Sequence, residues 1–122
     1  MPEYTNTVKL WAWENATVIP GMDPNRYRKD SCGAIIAWDK YGERESLFGW
    51  EIDHIYPLSM GGTTRKENMR AMQHQNNASK GNRYPYYTAA MTAEGSINVP
   101  CNKTLVVNAV KRAELATIYP KP

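Results

Sequence analysis

The chain has 122 residues, which fits one small domain, and no apolar run reaches the roughly 18 residues that a membrane-spanning helix needs. Its two cysteines, Cys32 and Cys101, are too few for a disulfide scaffold or a four-cysteine zinc site. The net charge of +3 on its own only hints at a polyanionic partner.

The predicted elements follow from periodicity and turn residues. Residues 7–14 fit a short helix and a strand equally well. Apolar runs between turn residues predict strands at 33–38, 50–55 and 68–72. A helix is expected over 73–80, ended by Gly81, and a terminal helix between 105 and 118. The centre therefore reads strand, loop, strand, short helix, a unit too small to be stable without its flanks.

The charge is unevenly distributed along these elements. Residues 1–53 carry six basic and nine acidic side chains, whereas residues 54–83 carry five basic and one acidic. Residues 84–122 carry four basic and two acidic side chains. A solvated surface explains this pattern as well as a binding surface does. A basic segment beside a phosphate-directed site would favour nucleic acid as the partner.

Asp53 and His54 are neighbours at the end of a predicted strand. Adjacent strand residues point to opposite faces, so the two side chains cannot easily bond each other but can flank a phosphodiester at the strand end. Asp53 is an oxygen ligand suited to Mg²⁺ or Mn²⁺. His54 titrates near neutral pH and suits a base that takes a proton from water. Such a pair taken alone is more often structural than functional.

Polar side chains further along supply the rest of a candidate site. Asn68 closes the loop and can bond backbone groups across it. On the predicted helix, His74, Asn77 and Lys80 are three residues apart and share a face. This face offers an imidazole, an amide oxygen that could complete a metal site with the strand carboxylate, and an ammonium for a phosphate. A solvated polar helix would show the same pattern.

Together these residues resemble the HNH nuclease motif. Asp53-His54 is followed after thirteen residues by Asn68, after eight more by Asn77 and after two more by Lys80. The surrounding residues strengthen the match: Trp50-Glu51-Ile52 before the pair, then Pro57, Gly61-Gly62, Asn76 and Gly81. The chain is similar, over about residues 18–83, to the small stand-alone HNH endonucleases of bacteria and phages, which belong to the ββα-metal or His-Me finger family.

The resemblance implies a fold and a reaction. It implies one α+β HNH domain over residues 1–122, with a ββα-metal core at about 50–83, an N-terminal flank at 1–49 and a C-terminal extension at 84–122. The implied reaction is hydrolysis of DNA phosphodiester bonds with a divalent ion, Mg²⁺ or Mn²⁺. By position, His54 matches the general base and Asp53 and Asn77 match metal ligands. Asn68 matches the residue that braces the loop and orients the base.

The chain departs from many HNH proteins at the paired cysteines that hold a structural zinc ion. The matching places hold Lys29, Cys32, Gln73 and Asn76. One cysteine cannot hold zinc, so we expect no zinc knuckle and a core stabilised by packing, including Trp38 and Trp50. We expect both cysteines to be reduced.

Charge and helical phase suggest the partner surface. We expect double-stranded DNA, bound with low sequence specificity, and backbone phosphates contacted by Lys66, Arg70, Lys80 and Arg83. His74 and Glu51 are candidates for residues that support the site without touching metal or substrate, and a surface role is open for both. Because the first residues do not resemble a secretory signal, we expect a cytoplasmic protein of bacterial or phage origin with no membrane partner.

Two other functions stay open. The chain could be a nucleic-acid-binding module that keeps the HNH fold without cleaving. It could also be a structural zinc protein that uses His54 and His74.

Overall fold

The structure is a computed structural model that describes residues 4–120. In this range it is a mixed α+β domain, as predicted. Its helices and strands are α1 (Asn6–Glu14), β1 (Thr17–Val18), β2 (Tyr27–Lys29), β3 (Ile35–Ala37), β4 (Trp50–His54), β5 (Met69–Gln73), α2 (His74–Lys80), β6 (Tyr86–Glu94), β7 (Ile97–Val106) and α3 (Ala109–Ile118). The strands form three antiparallel groups, β1–β2–β3, β4–β5 and β6–β7.

The centre of the chain has the predicted order of strand, loop, strand and helix. β4 pairs with β5 so that Trp50 lies opposite Gln73 and His54 opposite Met69. β5 begins one residue later than predicted, because residues 66–68 form a 3₁₀ turn that includes Asn68. Gly81 ends α2 as expected, with a φ of 55° that favours glycine, and its N–H donates to the Asn77 carbonyl.

Both faces of the β4–β5 pair are covered, because alternate strand residues point to opposite sides. One face packs with α1 and β3, and its buried cluster consists of Ala12, Trp13, Ile36, Trp50, Ile52, Met69 and Ala71. The other packs with β6, β7 and α3, and its cluster consists of Cys32, Ile55, Tyr56, Met72, Tyr87, Ala89, Val107 and Leu115. Met69 and Met72 are fully buried, one on each face, and each burial contributes about 1.5–3 kcal/mol.

Residues 7–14 form a helix rather than a strand. α1 begins after Thr5, whose hydroxyl accepts a hydrogen bond from the Val8 N–H. It brings Trp13 against two further tryptophans, with ring centroids 5.5 Å from Trp38 and 5.4 Å from Trp50. Trp50 is fully buried. Trp50 thus lies in the buried cluster and Trp38 packs against it, as expected for a core held by packing.

The extension after residue 83 contains a long hairpin that the sequence analysis did not predict. β6 and β7 pair over most of their length around a turn at Gly95, where φ is +62°. Only the terminal helix was foreseen, and α3 begins at Ala109, later than the predicted apolar stretch, because residues 105 and 106 belong to β7. Leu115 of α3 is buried against the central pair. The extension thus supplies one wall of the core.

Two further expectations concern the cysteines and the membrane. Cys32 and Cys101 are both free, and burial raises the pKa of the Cys32 thiol to about 12. None of the helices within residues 4–120 combines the length and apolar character needed to cross a bilayer.

Candidate functional site

His54 is the last residue of β4 and is half-buried. Its Nε2 lies 3.0 Å from the Thr64 hydroxyl, and its ring centroid is 6.3 Å from that of Tyr4. Burial lowers the pKa of His54; the Asp53 carboxylate opposes this shift and the Lys80 ammonium adds to it. The imidazole is therefore neutral at pH 7, which is the protonation state that a general base requires.

Asp53 points to the opposite face from His54, as predicted, and is almost fully buried. Its Oδ2 accepts a hydrogen bond of 2.9 Å from Arg70 Nε, and its Oδ1 lies 3.2 Å from Lys80 Nζ. The side-chain exposures of Asp53, Arg70 and Lys80 are 5%, 9% and 0%. One carboxylate thus meets two cations inside the protein, and we call these three residues the Asp53 triad.

Asn77 lies beside Glu51 rather than beside Asp53. α2 runs along β4, so that the His74 N–H donates to the Gly49 carbonyl and Asn77 Nδ2 donates to Glu51 Oε1 at 3.0 Å. One helical step further, Lys80 meets Asp53. No described hydrogen bond joins Asn77 to Asp53, and the expectation that the Asn77 amide shares a metal site with Asp53 stays a prediction. Every third residue of α2 faces β4, and every second residue of β4 faces α2. The register between them therefore places Asn77 at Glu51 and Lys80 at Asp53.

Asn68 makes the contacts that the sequence analysis expected across the loop. It is fully buried, its Oδ1 accepts from the Tyr56 N–H at 2.7 Å, and its Nδ2 donates to the carbonyls of Tyr56 and Thr63 at 3.1 and 3.0 Å. The Asn68 carbonyl also accepts from the Ile55 N–H. The loop between β4 and β5 is therefore fastened to the residues that directly follow His54.

The four basic residues proposed for DNA contact divide into two pairs. Lys66 and Arg83 are exposed, as a phosphate contact requires. Arg70 and Lys80 are buried in the Asp53 triad, so the expectation that they contact DNA phosphates is wrong for this arrangement. Their charge is directed inward because the buried Asp53 carboxylate contacts both of them.

The two residues considered as supports for the site both face the β3–β4 connection. His74 Nε2 is 3.0 Å from the Ser46 carbonyl, and Glu51 Oε2 accepts a 2.7 Å hydrogen bond from Arg44 Nε. His74 follows Gln73, which pairs with the start of β4, so it lies about 13 Å from His54 by the rise of the strand. The structure therefore does not bring the two histidines together as zinc ligands.

Two residues near His54 were missed by the sequence analysis. Thr64 contacts the imidazole directly, and its only sequence signal is its place in a flexible loop after Gly61 and Gly62. Tyr119, 56 residues away from Thr63 along the chain, bonds that residue through its hydroxyl. Nothing in the sequence indicates the second contact, because Tyr119 lies outside the HNH resemblance.

Among residues 4–120, no three or more histidine, cysteine, aspartate or glutamate side chains come close enough together to hold a metal ion. Comparison with protein-family models, with curated proteins and with solved structures gives no match.

Proposed function

We propose that the chain is an HNH-type endonuclease that hydrolyses phosphodiester bonds of double-stranded DNA, with His54 as the general base. The observation that carries the proposal is the environment of this histidine. It ends a strand, its Nε2 is engaged by Thr64, and no described residue bonds its Nδ1. The strand–loop–strand–helix order and the Asn68 contacts agree with the residues that carry the HNH resemblance.

The proposed chemistry uses one tautomer of His54. When Nε2 carries the proton and donates it to Thr64 Oγ1, the lone pair of Nδ1 is free to take a proton from water. The water oxygen then forms the new bond to phosphorus, and the bond to the leaving oxygen of the DNA strand breaks. That oxygen takes a proton from solvent and leaves as a hydroxyl. The lowered pKa of His54 keeps the ring neutral for this step. A single site of this kind cuts one strand at a time.

The expected divalent ion, Mg²⁺ or Mn²⁺, stays part of the proposal but does not fit the residues as they are arranged. Asp53, Glu51 and Asn77 are oxygen donors of the right chemistry. However, the Asp53 carboxylate is engaged by Arg70 and Lys80, and Asn77 faces Glu51. We therefore assign no step to a metal ion.

The test is nicking of supercoiled plasmid at several protein concentrations, with Mg²⁺, with Mn²⁺ and with EDTA. The proposal expects conversion to open circles before linear DNA appears, and the EDTA arm decides whether cleavage needs a divalent ion. No nicking with either ion at any concentration would refute the endonuclease.

The Asp53 triad favours a second candidate, a DNA-binding module with this fold that does not cleave. A carboxylate neutralised by two internal cations is a poor ligand for a further cation. Binding of labelled duplex DNA by the wild-type protein, without nicking under any of the conditions above, would favour this candidate. Charge reversal of Lys66 and Arg83, the exposed basic residues, should then weaken binding.

A further inference from the structure

The C-terminal end of the described chain is tied to the loop that holds His54. The Tyr119 hydroxyl accepts from the Thr63 N–H at 3.1 Å, lies 2.7 Å from Thr63 Oγ1 and donates to the Thr63 carbonyl at 3.2 Å. The ring of Tyr119 stacks on Tyr56, with centroids 5.0 Å apart and planes 7° from parallel. Tyr119 thus contacts both sides of the loop that follows β4.

Thr63 is the neighbour of Thr64, the residue that engages His54 Nε2. Two residues from outside this part of the loop hold Thr63: the Tyr119 hydroxyl contacts its N–H, hydroxyl and carbonyl, and Asn68 Nδ2 donates to the same carbonyl. The rest of this loop is largely exposed, including residues 58–61 and 63–66, and Gly61 adopts a φ of +99°. A loop with few buried contacts moves readily, so the place of Thr64 depends on how Thr63 is fixed.

We propose that Tyr119 is a positioning residue for His54. Its hydroxyl fixes Thr63, this places Thr64 Oγ1 against Nε2, and that contact holds the ring so that Nδ1 stays open to a water. The inference rests on the proposed function, and it gives the extension at 84–122 a role in positioning the general base.

The fold anchors Tyr119 without help from its hydroxyl. The Tyr119 N–H donates to the Leu115 carbonyl at the end of α3, and Leu115 is buried in the same core cluster as Ile55. The stacking on Tyr56 involves only the rings. Removing the hydroxyl therefore leaves the helix docked and the ring in place, and separates positioning from folding.

The experiment compares Tyr119→Phe with Thr64→Val, which removes the hydroxyl that touches His54 directly. Tyr86→Phe is the matched control, because the Tyr86 side chain is exposed on β6. The first readout is the ¹⁵N chemical shifts of the His54 ring at a pH where it is neutral, which report the tautomer without any cleavage. The second is the kcat and KM of plasmid nicking.

We expect Tyr119→Phe to shift the ring nitrogens in the same direction as Thr64→Val, and Tyr86→Phe to leave them unchanged. We expect kcat to fall about tenfold with KM unchanged, since one positioned hydrogen bond is worth about one decade in rate. Thr63→Val, which removes the Oγ1 contact only, should act in the same direction and serves if Tyr119→Phe does not fold.

Wild-type ring shifts in both Tyr119→Phe and Thr63→Val would overturn the inference. A rise in KM with unchanged kcat would also overturn it, because it would assign Tyr119 to DNA binding. If the wild-type protein does not nick DNA at all, the proposed function fails, while the ring shifts still decide whether Tyr119 positions His54.

Discussion

Replacing Asn68 with alanine removes three hydrogen bonds that cross the loop between β4 and β5. The side chain satisfies both the N–H and the carbonyl of Tyr56, a residue that is itself only 7% exposed. It also donates to the Thr63 carbonyl, which lies in the exposed part of the loop and can turn to water. The cost therefore arises mainly at Tyr56.

The size of the effect follows from those two buried groups. A buried donor or acceptor left without a partner costs about 1–3 kcal/mol, so Asn68→Ala should lower the free energy of unfolding by about 3 kcal/mol. This is a large part of the 5–15 kcal/mol typical of a domain. With a urea dependence of about 1–3 kcal/mol per molar, the midpoint should fall by about 1–3 M.

The assay is urea unfolding followed by tryptophan fluorescence, which the buried cluster of Trp13 and Trp50 makes sensitive to packing. Asn102→Ala is the matched control, because Asn102 is an exposed asparagine on β7. A loss below about 1 kcal/mol for Asn68→Ala, no larger than that of the control, would show that this side chain does not hold the loop.

Two further predictions concern the charged residues of β4 and its neighbours. Lys80→Met should destabilise the protein less than Arg70→Met. Either change leaves Asp53 one cation, but Arg70 holds the shorter contact, 2.9 Å against 3.2 Å, and also lies over the Tyr87 ring; the opposite order in urea unfolding would make Lys80 the main partner. The pKa of His54 lies below its ordinary 6.5, so the unfolded chain binds this proton more readily and stability should fall as the pH drops below about 6.5. His54→Gln should remove that part of the pH dependence of the unfolding midpoint, and an unchanged profile would contradict the burial of the ring.

The sequence supports the local features of the site well. Runs between turn residues place β4, β5 and α2 within a residue or two, and Gly81 marks the end of the helix. The opposite directions of Asp53 and His54 follow from strand geometry alone. The loop contacts of Asn68 follow from the reach of a short amide side chain. Each of these depends on residues close together in the chain.

Features that depend on distant contacts were not predictable in the same way. The charge pattern predicts that Arg70 and Lys80 are solvated. Only the pairing of β5 with β4 and the packing of α2 on β4 show that both contact Asp53. The register between helix and strand also decides that Asn77 meets Glu51. The β6–β7 hairpin carries usable signals, since β-branched and aromatic residues flank Gly95, but only the terminal helix was predicted in this part of the chain.

The central claim, that His54 is the base of a nuclease, is tested most directly by a pair of histidine variants. The described chain has His54 at the end of β4 and His74 at the start of α2. His74→Ala is therefore the matched control, because it makes the same substitution at a histidine away from the proposed base. Nicking of supercoiled plasmid should be lost in His54→Ala and retained in His74→Ala, with both variants folded and binding duplex DNA as the wild type does. Cleavage by His54→Ala at the wild-type rate would contradict the account.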